Sequence, residues 1–395
     1  MSERRALSQI GGPVRVRGED ALASMLRRAW ERAGREDPDA STHGFHSWPA
    51  KMHWAIARTV IEGSEAKTVL DPFCGGGTVL VEARVLGRRG IGVDLSPLAV
   101  RVADVRSAVW SADARDRFVA SARAVAAANE ARVRGRVPIR VDLPKREIGW
   151  YAPHVLKELG GLLEEIRGVE PFEDRRALAM VFSSIVVKVS KQRSDTDERE
   201  VKKRIRKGLA TELFLRKARE LSERWAAFAE VANGPSPKLI EGDARRLPRL
   251  LRTRRVGLIV SSPPYGGTYD YAAHHARRMA WLGLDDRALR RREIGARRRL
   301  GRDEAARRWD EEVGAMLGAM RAVLRDDGLV VLVMGDAQIG RRRVPVPAQL
   351  ERLGPGHGLA VAAIASQRRR DWKGRHPREE HLVALRAEGE ARSSS

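Results

Sequence analysis

Residues 67–96 read KTVLDPFCGGGTVLVEARVLGRRGIGVDLS, in which a glycine-rich loop separates short apolar runs. The run at 68–70 predicts a strand, the residues after the loop predict a helix, and the run at 91–93 predicts a second strand that ends at Asp94. A glycine-rich loop leading into a helix lets the backbone approach a ligand closely, and an acidic residue after the next strand can bind two ribose hydroxyls. The stretch therefore predicts a β-loop-α-β unit that binds a ligand containing ribose.

The length and composition of the chain limit its class. Its 395 residues suffice for one large α/β domain with an insertion or for two modest domains. Hydrophobic residues make up 43% and charged residues 32%, and no apolar run is long enough to span a bilayer, so wholly disordered and membrane-embedded classes are excluded. The N-terminal residues MSERRALSQIGG lack the apolar core of a signal peptide, so we expect a cytoplasmic protein.

The charge of the chain favours a polyanionic partner. The formal net charge is +23 and the pI is about 11.0. Lysine and arginine neutralise phosphates and release their counterions, which is the basis of nucleic-acid binding. An alternative remains open, because an excess of arginine and alanine can also reflect the codon bias of a GC-rich genome.

A second motif lies far downstream of the glycine loop. Residues 256–260 read VGLIV and predict a buried strand, and Ser261-Ser262-Pro263-Pro264-Tyr265 follows at its end. Ligands of open parallel sheets bind beyond the carboxyl ends of the strands. Two successive prolines hold their carbonyl oxygens in place and offer no competing N–H groups. The motif therefore predicts a polar site at the same sheet edge as the glycine loop.

The two motifs together, DPFCGGGT at 71–78 and SSPPY at 261–265, resemble those of the S-adenosylmethionine-dependent amino-methyltransferases of DNA. The loop begins with Asp71 and is not followed by Gly-Lys-Ser/Thr, so it is not a P-loop. The resemblance implies an α/β, Rossmann-like class I methyltransferase fold. Such a fold has a seven-stranded, mostly parallel sheet with a terminal antiparallel hairpin, here with a helical insertion. It also implies S-adenosylmethionine as cofactor.

The resemblance assigns residues to the cofactor. Residues 44–51 read GFHSWPAK and are similar to a family stretch that helps to hold the methionine end of the cofactor, with Trp48 in place of the usual tyrosine. Alternatives are an N-terminal helix that docks on the sheet and, for Asp243, a simple helix cap. The expected cofactor-binding residues are Lys51, Asp71, Phe73, Gly75, Gly77, Thr78, Asp94, Leu95 and Asp243.

The resemblance also assigns Ser262, Pro263, Pro264 and Tyr265 to catalysis. An exocyclic base amine is a poor nucleophile because its lone pair is delocalised into the ring. The serine hydroxyl and a proline carbonyl can accept its hydrogens and draw the nitrogen towards tetrahedral geometry, while the tyrosine stacks on the flipped base. A serine in the first position favours cytosine N4 over adenine N6. The alternatives are an adenine-N6 DNA methyltransferase, an RNA amine methyltransferase, and a non-catalytic DNA-binding protein that retains the fold.

The single cysteine, Cys74, narrows the chemistry further. One cysteine cannot form an intramolecular disulfide, and it cannot supply the several thiolates of a structural zinc site. Cytosine C5 methylation needs a cysteine nucleophile beside the base, and Cys74 lies in the cofactor loop instead. C5 chemistry is therefore excluded, and Cys74 is interpreted as a small residue that fills a tight turn.

Further residues are expected to contact the substrate. A flexible hinge at Gly266-Gly267 leads to Tyr269 and Tyr271, and the resemblance implies that this tyrosine-containing loop lies over the target base. The basic run at 202–207 is interpreted as a helix face that meets DNA or, alternatively, solvent. The expected substrate-binding residues are Tyr269, Tyr271, Lys191, Gln192, Arg193, Asp336 and Arg369.

The predicted organisation has four parts: an N-terminal extension (1–42), a catalytic domain (43–100 and 235–390), an inserted helical domain without obvious strand pairs (101–234) and a tail (391–395). The insertion is a candidate for DNA recognition. The expected partner is double-stranded DNA, with a cognate restriction endonuclease as a further candidate, and neither membrane nor metal is expected. Such a prokaryotic enzyme is cytoplasmic and associates with the nucleoid when bound to DNA.

Overall fold

The computed structural model describes residues 12–388 except 49, 195–196, 253–254, 269, 297, 299, 301–303, 340–341 and 371–376. Its strands are β1 (Arg15–Gly18), β2 (Thr68–Asp71), β3 (Arg89–Asp94), β4 (Gln192–Ser194), β5 (Asp197–Glu200), β6 (Lys238–Glu241), β7 (Val256–Ser261), β8 (Leu324–Gly335), β9 (Ala337–Ile339), β10 (Arg342–Val344), β11 (Leu359–Arg370) and β12 (Pro377–Ala387).

Its helices are α1 (Asp20–Ala33), α2 (Trp54–Glu62), α3 (Thr78–Val85), α4 (Pro97–Ser107), α5 (Ala112–Arg134), α6 (Lys145–Ile148), α7 (Pro153–Arg167), α8 (Phe172–Val186), α9 (Leu209–Ala229), α10 (Leu247–Leu251), α11 (Tyr271–Trp281), α12 (Arg287–Arg292), α13 (Ala305–Val323) and α14 (Val346–Leu353). Within the described ranges, none of these helices is long and apolar enough to cross a membrane.

One sheet organises the fold. Its strand order is β1-β11-β12-β8-β7-β2-β3-β6, and the five strands from β8 to β6 are parallel. Strands β11 and β12 form an antiparallel hairpin that joins the sheet through β12 and β8. The expected mostly parallel sheet with a terminal hairpin is confirmed. The N-terminal segment adds an eighth strand, β1, which was not predicted; it is a short and mostly exposed edge strand of four residues.

Helices cover both faces of the sheet, as a mostly parallel sheet requires. Successive residues of a strand point to opposite faces. In β2, Val69 packs with α1, α2 and α3, whereas Leu70 packs with α10, α13 and α14. In β7, Leu258 packs on the same face as Val69, and Ile259 packs on the same face as Leu70. Because the helices cover the faces of the sheet, a binding site is expected at the carboxyl ends of the parallel strands.

The helices from α4 to α9 pack around a core of their own, which includes Phe182 and Trp225 and also takes in Met279 and Trp281 of α11. A short hairpin of β4 and β5 lies within this region. Few apolar residues mark it, which explains why only helices were predicted there.

The prediction of a basic helix at 202–207 is wrong. Residues 201–206 lie outside any helix, and α9 begins at Leu209 after Gly208, whose φ is +81°. Exposed and half-buried residues alternate along 201–206, which is the period of extended backbone and not of a helix. The Glu158 carboxylate accepts the N–H groups of Gly208 (2.6 Å) and Ala210 (3.2 Å) and so fixes the start of α9.

Candidate active site

A cleft of about 920 Å³ lies at the carboxyl ends of β2, β3 and β7. These strands are neighbours in the parallel part of the sheet, so their ends share one edge. Eleven of the predicted site residues line the cleft: Lys51, Asp71, Phe73, Gly75, Thr78, Asp94, Leu95, Asp243, Ser262, Pro264 and Tyr271. The residues of the two sequence motifs are thus brought together over a separation of about 190 positions, as the Asp71 to Ser261 contact shows.

The glycine loop is held by Asp94 at the end of β3. One carboxylate oxygen of Asp94 accepts the Gly75 N–H at 2.8 Å, and the other accepts the Ser96 N–H at 2.9 Å. Gly77 has a φ of +83°, and a Cβ there would lie 2.9 Å from the Ala103 backbone. Gly77 therefore serves the turn and the packing of α3 against α4, and it does not line the cleft.

Asp71 connects the two motifs. Its Oδ1 accepts the Ser261 hydroxyl at 2.5 Å and the Phe73 N–H at 3.1 Å. Burial raises the pKa of Asp71 to about 7, and burial likewise raises the pKa of Asp94 to about 6. Two buried carboxyl groups that are hard to ionise favour a ligand that brings positive charge.

Cys74 and Asp243 both line the cleft but differ in their protonation. Cys74 is buried, its N–H donates to the Val93 carbonyl at 3.0 Å, and burial raises the pKa of its thiol well above the usual value. Asp243 lines the cleft and accepts the Arg245 guanidinium at 2.7 Å. Burial opposes ionisation of Asp243, but the Arg245 hydrogen bonds outweigh it and lower its pKa. Cys74 is thus a neutral filler, whereas Asp243 is an ionised group at the cleft.

Lys51 lines the cleft, and its ammonium group is bonded within the protein. It donates to the carbonyls of Pro38 (2.9 Å) and His43 (3.0 Å) and to the Asp39 carboxylate (2.8 Å). Burial, with the nearby charge of Arg106, lowers the pKa of Lys51 to about 8. Lys51 therefore secures the segment before α2 against the cleft, and its contact with the cofactor stays a prediction.

Arg106 secures the same segment from the other side. This α4 residue is fully buried, and its guanidinium donates to the carbonyls of Phe45 (2.7 Å), His46 (2.6 Å) and Gly76 (3.1 Å). Burial lowers its pKa to about 10, so it stays charged near neutral pH. Arg106 thereby joins the glycine loop to the chain that leads to Trp48.

The SSPPY motif supplies the opposite wall. Ser262 and Pro264 line the cleft, while Pro263 and Tyr265 do not. The Tyr265 hydroxyl donates to the Glu380 carboxylate at 2.5 Å, and both residues are buried. The motif thus presents Ser262 and Pro264 to the cleft, whereas Tyr265 is buried and anchored on β12. The predicted stacking of the Tyr265 ring on a flipped base stays a prediction.

The two glycines of the expected flexible hinge, Gly266 and Gly267, are closely packed in the structure. A Cβ on Gly266 would lie 2.8 Å from the Trp309 ring, and Gly267 has a φ of +69°. The Gly267 N–H donates to the Gly295 carbonyl at 2.9 Å, and the Gly266 carbonyl accepts the Gln338 N–H at 3.0 Å. Glycine is required here for close packing and a left-handed turn, and the flexibility of this loop stays a prediction.

Aromatic residues line the mouth of the cleft. Tyr271 begins α11, and its N–H donates to Glu293 Oε1 at 2.5 Å. Trp48 stacks on His275 with ring centroids 4.3 Å apart. Tyr269 lies outside the described residues.

The other predicted substrate contacts are not at the cleft. Lys191 donates to the Gly149 carbonyl at 2.9 Å, and Arg193 is exposed. Gln192 is fully buried, and its amide bonds Ser194 (2.6 Å) and Arg277 (2.8 Å). The structure therefore places Gln192 in the interior and not on a contact surface, because its amide satisfies groups of the hairpin and α11.

Asp336 follows β8 at the same sheet edge but faces β12. It accepts His381 Nε2 at 3.0 Å and the Arg343 guanidinium at 2.7 Å. Burial opposes its ionisation, but these hydrogen bonds and that of Val346 lower its pKa. Asp336, Glu379 and His381 form a compact cluster that is already neutralised by arginines. The Arg369 side chain lies outside what the structure describes.

Several residues at the site were not predicted as site residues. His275, Glu293 and Met52 line the cleft, and Glu380 and Arg106 hold its walls. Met52 directly follows the stretch at 44–51, and His275 lies in the helix after the tyrosines, so both had a nearby signal. The other three come from segments without a motif, and only the fold brings them to the site.

Comparisons with known proteins relate the chain to DNA methylases. A model of the N6/N4 DNA methylase family matches residues 19–104, which include the glycine loop and Asp94. The type II methyltransferase M.BsoBI of Geobacillus stearothermophilus is 23% identical over 278 residues, which are 63% of this chain and 54% of that protein. The type II methyltransferase M.MvaI of Kocuria varians is 40% identical over 63 residues, which are 15% of this chain and 14% of that protein.

The matches therefore span about half the length of M.BsoBI and a smaller share of M.MvaI. Among solved structures, TrmN from Thermus thermophilus matches at 14% identity and a TM-score of 0.33, over 92% of this chain and 53% of that one. Residues 19–104, with the glycine loop, are thus similar to the N6/N4 DNA methylases, and parts of the chain are distantly similar to type II methyltransferases.

Proposed function

We propose that the chain transfers a methyl group from S-adenosylmethionine to the exocyclic N4 amine of a cytosine flipped out of double-stranded DNA. One observation carries the proposal: Ser262 and Pro264 of the SPPY motif line the same cleft as Gly75 and Asp94 of the glycine loop. A donor site and an amine site that share one cleft permit direct transfer, because the two reacting groups can be held in contact.

The residues present fit the cofactor. A Cβ on Gly75 would lie 2.8 Å from Trp48 Nε1, so glycine keeps this part of the cradle open. Asp94 stands at the end of β3, where a carboxylate can accept ribose hydroxyls, and Asp243 lies across the cleft, where the resemblance places the adenine ring. Asp71 and Asp94 offer negative charge to a cationic ligand. When bound, S-adenosylmethionine supplies an electrophilic methyl group.

The acceptor side is built to activate an amine. Ser262 Oγ and a neighbouring proline carbonyl accept the N–H groups of the amine, which frees the nitrogen lone pair for attack. Ser261 cannot take this role, because its hydroxyl donates to Asp71 and it is fully buried. Cys74 is buried as a neutral thiol beneath the glycine loop, which agrees with amine chemistry and not with a C5 nucleophile.

The proposed DNA contacts lie outside the cleft. We infer that the inserted region 101–234 contributes them, beside a catalytic domain made of 43–100 and 235–390. Arg193 and the exposed members of the extended basic segment at 202–206 lie next to the hairpin that packs on α11, the helix that begins at the cleft with Tyr271. With a net charge of +23, this arrangement supports binding to DNA phosphates.

Mass spectrometry of nucleosides tests the proposal. Unmethylated plasmid DNA and total RNA are incubated separately with the protein and S-adenosylmethionine, and each is digested to nucleosides. N4-methylcytosine in DNA is the expected product. N6-methyladenine would correct the base, and modified RNA beside unmodified DNA would overturn the substrate. The double variant Ser262→Ala, Tyr265→Ala serves as the matched inactive control.

A further inference from the structure

Tyr265 sits in a socket made by one cross-strand pair. Glu380 of β12 lies directly opposite Gly335 of β8 in the antiparallel register. The Tyr265 hydroxyl donates to Glu380 Oε1 at 2.5 Å, and its ring edge lies where a Cβ on Gly335 would be only 3.0 Å away. The glycine thus makes room for the ring, and the glutamate holds its hydroxyl.

The socket is buried and held by hydrogen bonds. Tyr265 is 8% exposed and Glu380 is 4% exposed. The Tyr265 carbonyl accepts the Thr268 N–H at 3.1 Å, and the next two residues are fixed by Gln338 and Gly295. A charge-assisted hydrogen bond between buried groups is among the stronger ones in proteins, so it restricts the ring to one orientation.

The socket adjoins the cleft. Tyr265 and Glu380 border a small cavity that they share with Ala50, Lys51 and Met52, and these three residues also line the main cleft. Pro264, directly before Tyr265, lines the cleft itself. The orientation of Tyr265 therefore sets the shape of the boundary where a planar acceptor meets the SPPY motif.

We propose that Glu380 is a positioning residue for the transfer reaction, which acts by holding Tyr265 against Gly335 beside the acceptor base. This proposal rests on the proposed function. Loss of the carboxylate leaves the donor wall intact, because Asp94, Gly75 and Asp71 are held by bonds that do not involve Glu380. It leaves the Tyr265 ring without its anchor, and misplacement of an acceptor by about 1 Å can cost roughly 100-fold in rate.

A double-mutant cycle with Tyr265→Phe and Glu380→Ala tests the proposal. Each variant is expected to lower kcat on DNA roughly 10- to 100-fold, and the double variant is expected to fall no further than the worse single one, because both remove one interaction. The affinity for S-adenosylmethionine, measured by calorimetry, should stay within about twofold of wild type, and Glu380→Gln should restore most of kcat, since an amide oxygen also accepts the hydroxyl. Multiplicative losses in kcat would overturn the proposal.

Glu379→Ala is the matched control. Glu379 precedes Glu380 on β12, points to the other face and pairs with Arg15 and Arg368, so its loss should leave kcat unchanged. A loss of kcat in this variant equal to that in Glu380→Ala would assign the effect to the hairpin as a whole and overturn the specific role.

A second measurement does not depend on turnover. The chain has four tyrosines, so fluorotyrosine labelling gives few ¹⁹F resonances, and Tyr265→Phe identifies the one from Tyr265. Glu380→Ala is expected to shift this resonance, and an unchanged resonance would overturn the proposal even if the enzyme is active. A wild-type protein that binds S-adenosylmethionine but methylates no DNA would instead overturn the proposed function.

Discussion

The two walls of the cleft are built in different ways. The centre of the donor wall is nearly contiguous in sequence, since the Asp94 carboxylate accepts the Gly75 N–H across only 19 positions. The acceptor wall depends on distant side chains, since Tyr265 is anchored by Glu380 115 positions later. The donor wall is thus specified by one local motif, whereas the acceptor wall is specified by the assembled sheet. Disturbing the first should weaken binding, and disturbing the second should slow transfer.

The largest effect is expected from the acceptor wall. Ser262→Ala combined with Tyr265→Ala should lower the rate of methyl transfer by at least about 1,000-fold, because the amine loses the Ser262 oxygen that accepts its hydrogen and the wall beside Pro264 loses the Tyr265 ring. The affinity for S-adenosylmethionine should change little, which transfer of a labelled methyl group and calorimetry can separate. Ser24→Ala, an exposed serine of α1, is the control. A double variant with wild-type turnover would contradict the assignment of Ser262 and Tyr265 to the acceptor wall.

A smaller effect, on binding, is expected from the donor wall. Asp94→Ala removes the acceptor of the Gly75 and Ser96 N–H groups together with the group that meets the ribose. The dissociation constant of S-adenosylmethionine should rise roughly 100-fold, equivalent to about 2.7 kcal/mol. Calorimetry measures it, with the exposed Asp113→Ala as the matched control. An affinity equal to wild type would show that Asp94 of the donor wall does not contribute to cofactor binding.

Asp71, which accepts a hydrogen bond from Ser261 and so joins the two walls, predicts that the stability of the protein depends on pH. The pKa of Asp71 is raised from 3.8 to about 7 by burial, so the folded state binds a proton that the unfolded state releases. This stabilisation is complete below about pH 4 and is lost as the pH rises towards about 7, by up to about 1.4 kcal/mol per pH unit. Urea unfolding of the ligand-free protein from about pH 4.5 to about pH 7.5 should show a smaller decline in Asp71→Asn. Equal slopes in both proteins would contradict the raised pKa.

The smallest effect is expected for the contribution of the basic segment before α9 to DNA binding. Lys202 and Arg204 are exposed on the extended segment before α9. Replacing both with alanine should weaken DNA binding by less than about tenfold and lower the salt slope by about one for each phosphate that is no longer neutralised. Fluorescence anisotropy from about 50 to about 200 mM salt measures both quantities. The pair Arg27→Ala, Arg28→Ala on α1 removes the same charge, and an equal effect from it would mean that only the net charge matters.

The sequence predicted the donor wall better than the acceptor wall for the same physical reason. The loop from Asp71 to Thr78 is local, so its residue types and spacing were enough to predict its conformation. For the acceptor wall the motif predicted Ser262 and Pro264, but not Glu380, because strand pairing brings Glu380 there. The parallel sheet and its hairpin were expected from the resemblance that the two motifs carry, whereas apolar runs predicted the individual strands.

Tertiary packing decides what the local sequence leaves open. Gly266-Gly267 was interpreted as a hinge, and in the structure Trp309 and Gln338 lie where side chains on these two residues would be. The segment at 202–207 was interpreted as a helix face, although exposed and half-buried residues alternate along 201–206.

The buried Arg106 has a practical consequence for protein engineering. The region from 101 onward invites replacement as a cassette, in order to exchange one set of DNA contacts for another. Arg106 lies inside that boundary, yet it bonds the carbonyls of Phe45, His46 and Gly76. A chimera cut at 101 with a foreign helix would leave three carbonyls beside the cofactor loop without their shared donor. A junction placed after Ser107, where α4 ends, keeps Arg106 and its hydrogen bonds in the part of the chain that carries the glycine loop.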